Sequence, residues 1–531
     1  MLTLFAAPKP FVGHAGLIQR NAIRSWTLLD PACEIILFGD EPGIGETARE
    51  FGLRHVPDPK TNHFGLPVVN DLFDRAERLA TNDLLCYVNA DIILPPNFAK
   101  TTYSVASECG DYLMIGRRID IDIADPVNFS GDWYGRLNTF AEHRGRLHDR
   151  TGIDYFAFRR GMLGGYMPPF SVGRVMWDNW TIYWARLRSI PVIDATQAVR
   201  CFHQNHDYAH AKAPAGGNDD VFGEARMESP QQNWNKLLGF HEMFAYHIGD
   251  ASHCLLDDRL VPAAYVGTRS RAPSRQQLPF ENLTWLPAPD VISRQILYNQ
   301  FENNEIAFVR RFLRPGMTVV DIGAHHGLYS LLASVLVGAT GRVIAVEPSP
   351  REMVRLQMHL AINRISNIEA IATAVASRTG RDLLQVYLTS ESGRSALRTA
   401  PSSDPRTFVP VDTRDLDGIL AERNCGPVDL LKIDTAGSEY DVLEGARGVL
   451  GSGRRPVILC DMDEVTARPF GVSRTTLRLR VEESGYSWFM ACPDGQLAPF
   501  PDDGPFNGPL VAVPDERMAE VDLHGSRGLP L

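Results

Sequence analysis

The chain has 531 residues, 44% of them apolar and 22% charged, a globular composition at a length that implies more than one domain. A net charge of −11 without any Lys/Arg run excludes binding through a phosphate backbone, so no nucleic-acid partner is expected. Eight cysteines lie singly, at 33, 86, 109, 201, 254, 425, 460 and 492, with no C-x-x-C pair; neither a zinc knuckle nor a disulfide framework is indicated, and a reduced, cytoplasmic setting fits.

In chain order, Leu2 to Ala7 is apolar, lacks a basic region before it and meets Pro8, so it reads as a first strand and not as a signal peptide. Helical spacing runs from Ala15 to Leu28, strand-like apolar runs cover Glu34–Phe38 and Leu84–Val88, and Val68–Ala80 is again helical. This alternation predicts a parallel α/β sheet, to which Tyr112–Gly116, Tyr155–Phe158 and Pro191–Ile193 add strands. Leu260 to Pro289 is rich in Pro, Ser, Arg and Gln and has no period. The organisation expected is therefore a domain over 1–255, a linker over 256–290 and a second domain over 291–531. The longest apolar stretch, Leu328 to Ala339, is too short to span a bilayer, so no transmembrane segment is expected.

In the first half, Asn89-Ala90-Asp91 stands where a strand emerges into a loop, and a carboxylate there can hold Mg2+ or Mn2+ against a diphosphate. Asp40 closes the second strand; an ordinary turn acid is the equal alternative. Asp178 lies between Trp177 and Trp180, a grouping suited to stacking on a sugar and binding its hydroxyls, or else a core helix with both rings turned inward. His203 and His206, within Cys201 to His210, could join Asp91 on a metal or be surface polar residues.

From Leu2 to His210 these blocks, with Gln19-Arg20-Asn21 and Gly116-Arg117-Arg118, resemble GT-A class glycosyltransferases, Asn89 standing in for the first acid of their D-x-D motif. The resemblance implies a nucleotide-sugar donor contacted by Asp40, Asn89 and Asp91, a metal held by Asp91 with His203 or His206, Asp178 as the acceptor-side base, and a glycan acceptor.

The second half carries the more specific pattern. Met317 to Ile322 is an apolar run with Asp321 near its end; a loop with Gly323, Ala324, His325 and Gly327 follows, then a helical run from Leu328. Glycines let backbone approach a ligand, and free N–H groups at a helix start favour a carboxylate. Arg342 to Val346 is the next apolar run and places Glu347-Pro348 at its end, where a carboxylate can accept both ribose hydroxyls. The spacing Gly323-x-x-x-Gly327 with an acid ahead differs from the dinucleotide G-x-G-x-x-G and favours S-adenosylmethionine over NAD.

With Asn363, Thr373-Ala374-Val375 and Lys432-Ile433-Asp434-Thr435-Ala436-Gly437-Ser438-Glu439, the span from Phe301 to Val513 resembles the FkbM family of S-adenosylmethionine-dependent methyltransferases. The family usually has Glu at Ala436 and Asn at His325. The resemblance implies O-methylation of a hydroxyl, with Asp321, Gly323, Ala324, His325, Gly327, Glu347, Pro348, Ala374 and Asp434 around the cofactor. Proton removal from the acceptor needs a base at a strand end; Asp434 is placed so, with Lys432 and Glu439 as alternatives. Asp461 and Asp463 close another apolar run and read as a solvated acidic end in preference to a metal site.

The expected protein is α/β with two domains: a GT-A-like domain followed by a Rossmann-like class I methyltransferase. It would act as glycosyltransferase and O-methyltransferase on a bacterial glycan or glycosylated metabolite, or as a methyltransferase carrying a non-catalytic glycan-binding module. A homo-oligomer is compatible with the sequence.

Overall fold

The computed structural model describes residues 1–206, 230–239, 241–256, 258–266, 272–387, 393, 395–397, 406–500 and 508–524. The motif residues after His206 lie outside them. The chain divides into two compact units, Met1–Pro273 and Ser274–Leu531.

The first unit is built on alternation. In β1 (Leu2–Ala6), Leu2, Leu4 and Ala6 join the core formed with Ala22, Ile23 and Trp26 of the helix Gly13–Thr27. Phe5 faces the other way, its ring 5.1 Å from Phe73 and 5.5 Å from Tyr87. Both faces are apolar, so the strand is buried throughout, as a central strand covered by helices must be. The other strands of this unit are β2 (Glu34–Phe38), β3 (Arg54–Val56), β4 (Leu84–Val88), β5 (Ile92–Ile93), β6 (Leu113–Ile115), β7 (Arg118–Ile121), β8 (Arg146–Leu147), β9 (Tyr155–Arg159), β10 (Val192–Asp194), β11 (Cys201–Gln204), β12 (His253–Leu256) and β13 (Arg259–Pro262).

They form a nine-stranded sheet, β13-β12-β10-β6-β9-β4-β1-β2-β3, and a small sheet, β5-β11-β7-β8. The large sheet is mixed and not wholly parallel as expected: β9 runs antiparallel to both β4 and β6. The chain reaches β9 from the small sheet and not through a helical crossover, and only a crossover imposes parallel pairing. The helix Val69–Leu79 packs Phe73 on one face of this sheet.

The span expected as a linker is divided. β13 pairs with β12 at the edge of the first unit's sheet. In the second unit β14 (Gln276–Gln277) and β15 (Thr284–Trp285) pair, and Trp285 is fully buried against His359, ring centroids 4.1 Å apart. Of the sparse large apolar residues of this stretch, Leu278, Leu283, Trp285 and Leu286 are buried and Phe280 half-buried, a pattern too short to carry a period.

The second unit adds β16 (Thr318–Ile322), β17 (Arg342–Val346), β18 (Ile368–Ile371), β19 (Ala374–Val375), β20 (Gly380–Tyr387), β21 (Arg406–Arg414), β22 (Leu430–Ile433), β23 (Val457–Asp461), β24 (Tyr486–Ala491), β25 (Leu497–Pro499) and β26 (Pro509–Pro514). The main sheet runs β18-β17-β16-β22-β23-β26-β24-β25, with β16, β17, β18, β22 and β23 parallel and β26 antiparallel to β23. Val319 points into one core with Leu331 and Leu332, and Val320 and Ile322 into the other with Leu431 and Ile433. Chain order leaves β16 toward β17 on one side and returns through β22 on the other. That reversal opens a crevice at the carboxyl ends of the strands.

Candidate active sites of the two units

In the second unit the crevice is a pocket of about 940 Å3, its solvent-open mouth included, lined by Gly323, Ala324, His325, Glu347, Pro348, Ala374, Lys432 and Asp434 among others. Gly323 has φ +76, and a Cβ there would lie 1.7 Å from the carbonyl oxygen of Asp434. The loops after β16 and β22 therefore touch, and only glycine permits it. Glu347 ends β17 nearly buried; its Oε2 accepts the His325 N–H and its Oε1 the Ser349 N–H, both at 2.8 Å. Burial, then the charge of Glu352, pushes its carboxyl up to about 8 against those two donors.

Lys432 reaches into the same space from β22. Its ammonium lies 3.2 Å from Asp434 Oδ2 and 3.5 Å from Asp321 Oδ1, and 5.0 Å from the centre of the Tyr329 ring. Burial alone would lower its pKa, but Asp434, Asp321 and Glu302 outweigh it and hold the amine charged. A group so held is a poor base. Glu439 is also disqualified: it does not line the pocket, and its Oε1 accepts from the Thr435 and Gly437 backbone N–H groups and the Thr435 hydroxyl. It shapes the loop. Asp434 is left as the half-exposed carboxylate facing the pocket.

Two other expected cofactor contacts lie behind the lining. Asp321 is buried and accepts from the Ser330 hydroxyl at 2.6 Å, so it braces Lys432. Gly327, at φ +89, starts the helix Leu328–Val337 and packs against Leu356. His325 and Ala436 both adopt left-handed backbone, φ 51 and 50. Asn, the family's usual residue at the first position, tolerates that conformation readily.

Glu302 and Tyr329 belong to no motif visible in the sequence. The Tyr329 hydroxyl donates to Glu302 Oε2 at 2.6 Å, and burial, then the Asp434 charge, raises the Glu302 carboxyl to about 7. Asp461 and Asp463 are half-buried, and burial, then the carboxylates Asp434, Glu439 and Glu302, raise the pKa of Asp461. His325, His326 and Glu352 also bring ligand atoms together, but Glu352 is engaged by Arg351 and Ser349, and the two imidazoles stack on each other 3.9 Å apart.

In the first unit, Asp91 follows β4 and abuts β5, and His203 and His206 come from β11 and the residues beyond it. The three converge: His206 Nε2 is 3.1 Å and His203 Nε2 3.8 Å from Asp91 Oδ2. Burial would raise the Asp91 carboxyl, yet the hydrogen bond from His206 and the charges of His203, His206 and Lys9 hold it at about 2. Its Oδ1 is buried without a hydrogen-bond partner. The Asn89 amide donates to Asp154 Oδ1 at 2.7 Å, and Arg118 also binds Asp154. Asp40 is exposed at the end of β2.

Asp178 sits in the first turn of the helix Trp177–Leu187 with a buried, unpartnered Oδ1; burial chiefly, with Asp154 adding repulsion, raises its carboxyl to about 6. The flanking tryptophans are core. Trp180 stacks on Trp184 at 5.5 Å and Trp177 packs on Phe156 at 4.9 Å, leaving no free ring face for a sugar. Asp154 and Asp120, which stand in no recognisable motif, link the site into one network through Asn89, Arg118 and His203. Their signal lies only in which strands become neighbours.

The second unit's sheet order, with antiparallel strands at its end and a pocket over β16, β17 and β22, is that of a Rossmann-like class I methyltransferase, and the first unit is a mixed α/β unit. Residues 321–487 match the family model described as the methyltransferase FkbM domain. Among solved structures, a SAM-dependent methyltransferase from Aquifex aeolicus is 16% identical over 39% of this chain and 88% of its own, with TM-score 0.23. A mannosyltransferase from Pyrobaculum calidifontis in complex with GDP-Man and Mn2+ is 15% identical over 40% of this chain, TM-score 0.26, and this chain spans 59% of its length. TarS from S. aureus in complex with UDP-GlcNAc is 13% identical over 24% of this chain, TM-score 0.19, with 38% of its own length covered. Among the described residues no helix is long and apolar enough to cross a membrane.

Proposed function

We propose that the second unit transfers a methyl group from S-adenosylmethionine to a sugar hydroxyl. The observation that carries this is one pocket holding Glu347, the Gly323 turn and Asp434 at adjacent strand ends. The residues fit the cofactor: Glu347 keeps acceptor capacity on both oxygens beyond its two backbone donors, and the Gly323 turn lines the same pocket. Bound there, S-adenosylmethionine supplies an electrophilic methyl on a sulfonium. Glu347 orients the ribose. Asp434 Oδ2, 3.2 Å from the Lys432 ammonium, takes the acceptor proton, and Lys432 stays charged throughout.

The first unit is read as a nucleotide-sugar transferase. Asp91, His203 and His206 fit a divalent cation, because two imidazoles and a carboxylate converge and Asp91 Oδ1 lacks a partner. The cation would neutralise a departing diphosphate. Asp178, raised to about 6, is the acceptor base, ionised at neutral pH yet basic enough to accept a proton. Donor and acceptor are a nucleotide sugar and a glycan, the setting a cytoplasm.

Calorimetric titration of the whole protein with S-adenosylmethionine, and with UDP and GDP sugars with and without Mn2+, tests both halves. Binding of S-adenosylmethionine that Glu347→Ala removes, and nucleotide binding that requires metal and Asp91, are the expected results. Binding of S-adenosylmethionine alone reduces the first unit to a glycan-holding module, and failure to bind it overturns the methyltransferase reading.

A further inference from the structure

The small sheet of the first unit arranges its chemistry in one row. In the parallel pairing of β7 and β11, His203 stands opposite Asp120; Ile92 of β5 stands on the far side of His203, and Arg146 of β8 beyond Asp120. Residues alternate in direction along each strand. Phe202, Ile93, Ile119 and Ile121 pack on one face against the helix Trp133–Arg144, and His203 and Asp120 share the other face with Arg118. His203 is thereby held, 1% exposed, between two carboxylates: its Nε2 lies 3.8 Å from Asp91 Oδ2 and its Nδ1 3.2 Å from Asp120 Oδ1.

A neutral imidazole has one nitrogen that donates and one that accepts, and a cation needs the accepting one. A carboxylate 3.2 Å from Nδ1 favours the proton on that nitrogen and leaves Nε2, the nitrogen nearer Asp91, to accept. Asp120 is itself fixed. Its Oδ1 accepts from Arg118 Nε at 2.9 Å, and its Oδ2 is 2.7 Å from His148 Nδ1. It cannot swing toward the cation site without leaving both.

We infer that Asp120 is the positioning residue that sets the tautomer of His203 and so makes Nε2 a ligand for a Mn2+-like cation shared with Asp91 and His206. The inference rests on the reading of this unit as a metal-dependent site. It also sets the metal class: two imidazoles beside one carboxylate favour Mn2+ over Mg2+, which takes oxygen donors and keeps its waters.

The test uses the full chain, with Mn2+ alone as probe. Titration followed by the electron paramagnetic resonance signal of free Mn2+ should show binding to the parent, and binding to Asp120→Ala weakened by about 10- to 100-fold. Asp120→Asn, whose amide oxygen can still face Nδ1, should fall between them. Histidine 15N shifts of the metal-free parent, assigned with His203→Gln, should place the His203 proton on Nδ1; this reading needs no change at Asp120 and stands if Asp120→Ala fails to fold. A proton on Nε2, or unchanged affinity in Asp120→Ala, overturns the inference alone. Absence of Mn2+ binding by the parent overturns the metal-site reading together with it.

Discussion

Glu347→Gln separates what this carboxylate costs the fold from what it contributes to the site. The side chain is 6% exposed, and its pKa moves from 4.5 to about 8, chiefly through burial and then through Glu352. Between those values the folded protein holds a proton that the unfolded chain releases. Stability present below 4.5 is therefore lost progressively as pH rises toward about 8. Each unit corresponds to about 1.4 kcal/mol, so about three units, from about pH 5 to about pH 8, amount to about 4 kcal/mol. Gln keeps the shape and does not titrate. The stability of the variant relative to the parent should thus climb by about 4 kcal/mol over that range, offset throughout by about 1 kcal/mol because one N–H, of His325 or Ser349, must then face an amide NH2. Other titrating groups are common to both proteins and cancel in the difference. Urea-dependent hydrogen exchange of the β16 and β17 amides, which reads the second unit alone, measures it. In parallel, calorimetry at about pH 8 should show S-adenosylmethionine bound at least about tenfold more weakly by the variant, the loss of one charge-assisted hydrogen bond. Parallel pH dependences would refute the burial argument, and undiminished cofactor binding would refute the ribose assignment.

Gly323→Ala forces a Cβ to within 1.7 Å of the Asp434 carbonyl oxygen at φ +76, so a destabilisation of about 3 kcal/mol and weakened S-adenosylmethionine binding are expected in denaturation and calorimetry; a neutral outcome would mean the loops after β16 and β22 do not touch. Lys432→Met leaves Asp321 and Asp434 without their shared cation and should cost about 3–5 kcal/mol, whereas a variant as stable as the parent would show that the pair does not depend on it. Asp178→Asn should lower sugar transfer by about 10²- to 10⁴-fold with donor binding kept. The parent's rate should rise with pH through about 6, as a base with that pKa must ionise, and a flat profile would assign the proton elsewhere.

The strands were legible because the apolar runs at Leu2–Ala6 and before Asp91, Glu347 and Asp434 are local signals, and acids at strand ends mark where α/β crevices open. The same locality explains the failures. Nothing near Tyr155 states that β9 will pair antiparallel on both sides, since that depends on how the chain returns from the small sheet. Trp177 and Trp180 at i,i+3 fit a sugar platform and a core helix equally; only the positions of Phe156 and Trp184 decide it. Asp120 and Asp154 acquire meaning only when β7, β11 and the end of β4 become neighbours. Lys432 and Glu439 were separated from Asp434 by their partners, one ammonium between carboxylates and one carboxylate under backbone N–H groups, which spacing along a chain does not encode.

The hairpin of β12 and β13 decides where this chain can be cut. A truncation after residue 255 follows the composition of the sequence, but it would split β12 and discard β13, stripping the cover from the margin of the nine-stranded sheet. Unpaired backbone groups along such a margin recruit strands from other molecules, so a fragment ending there should precipitate or self-associate. A fragment ending at Pro273 keeps the hairpin whole and is the one to express.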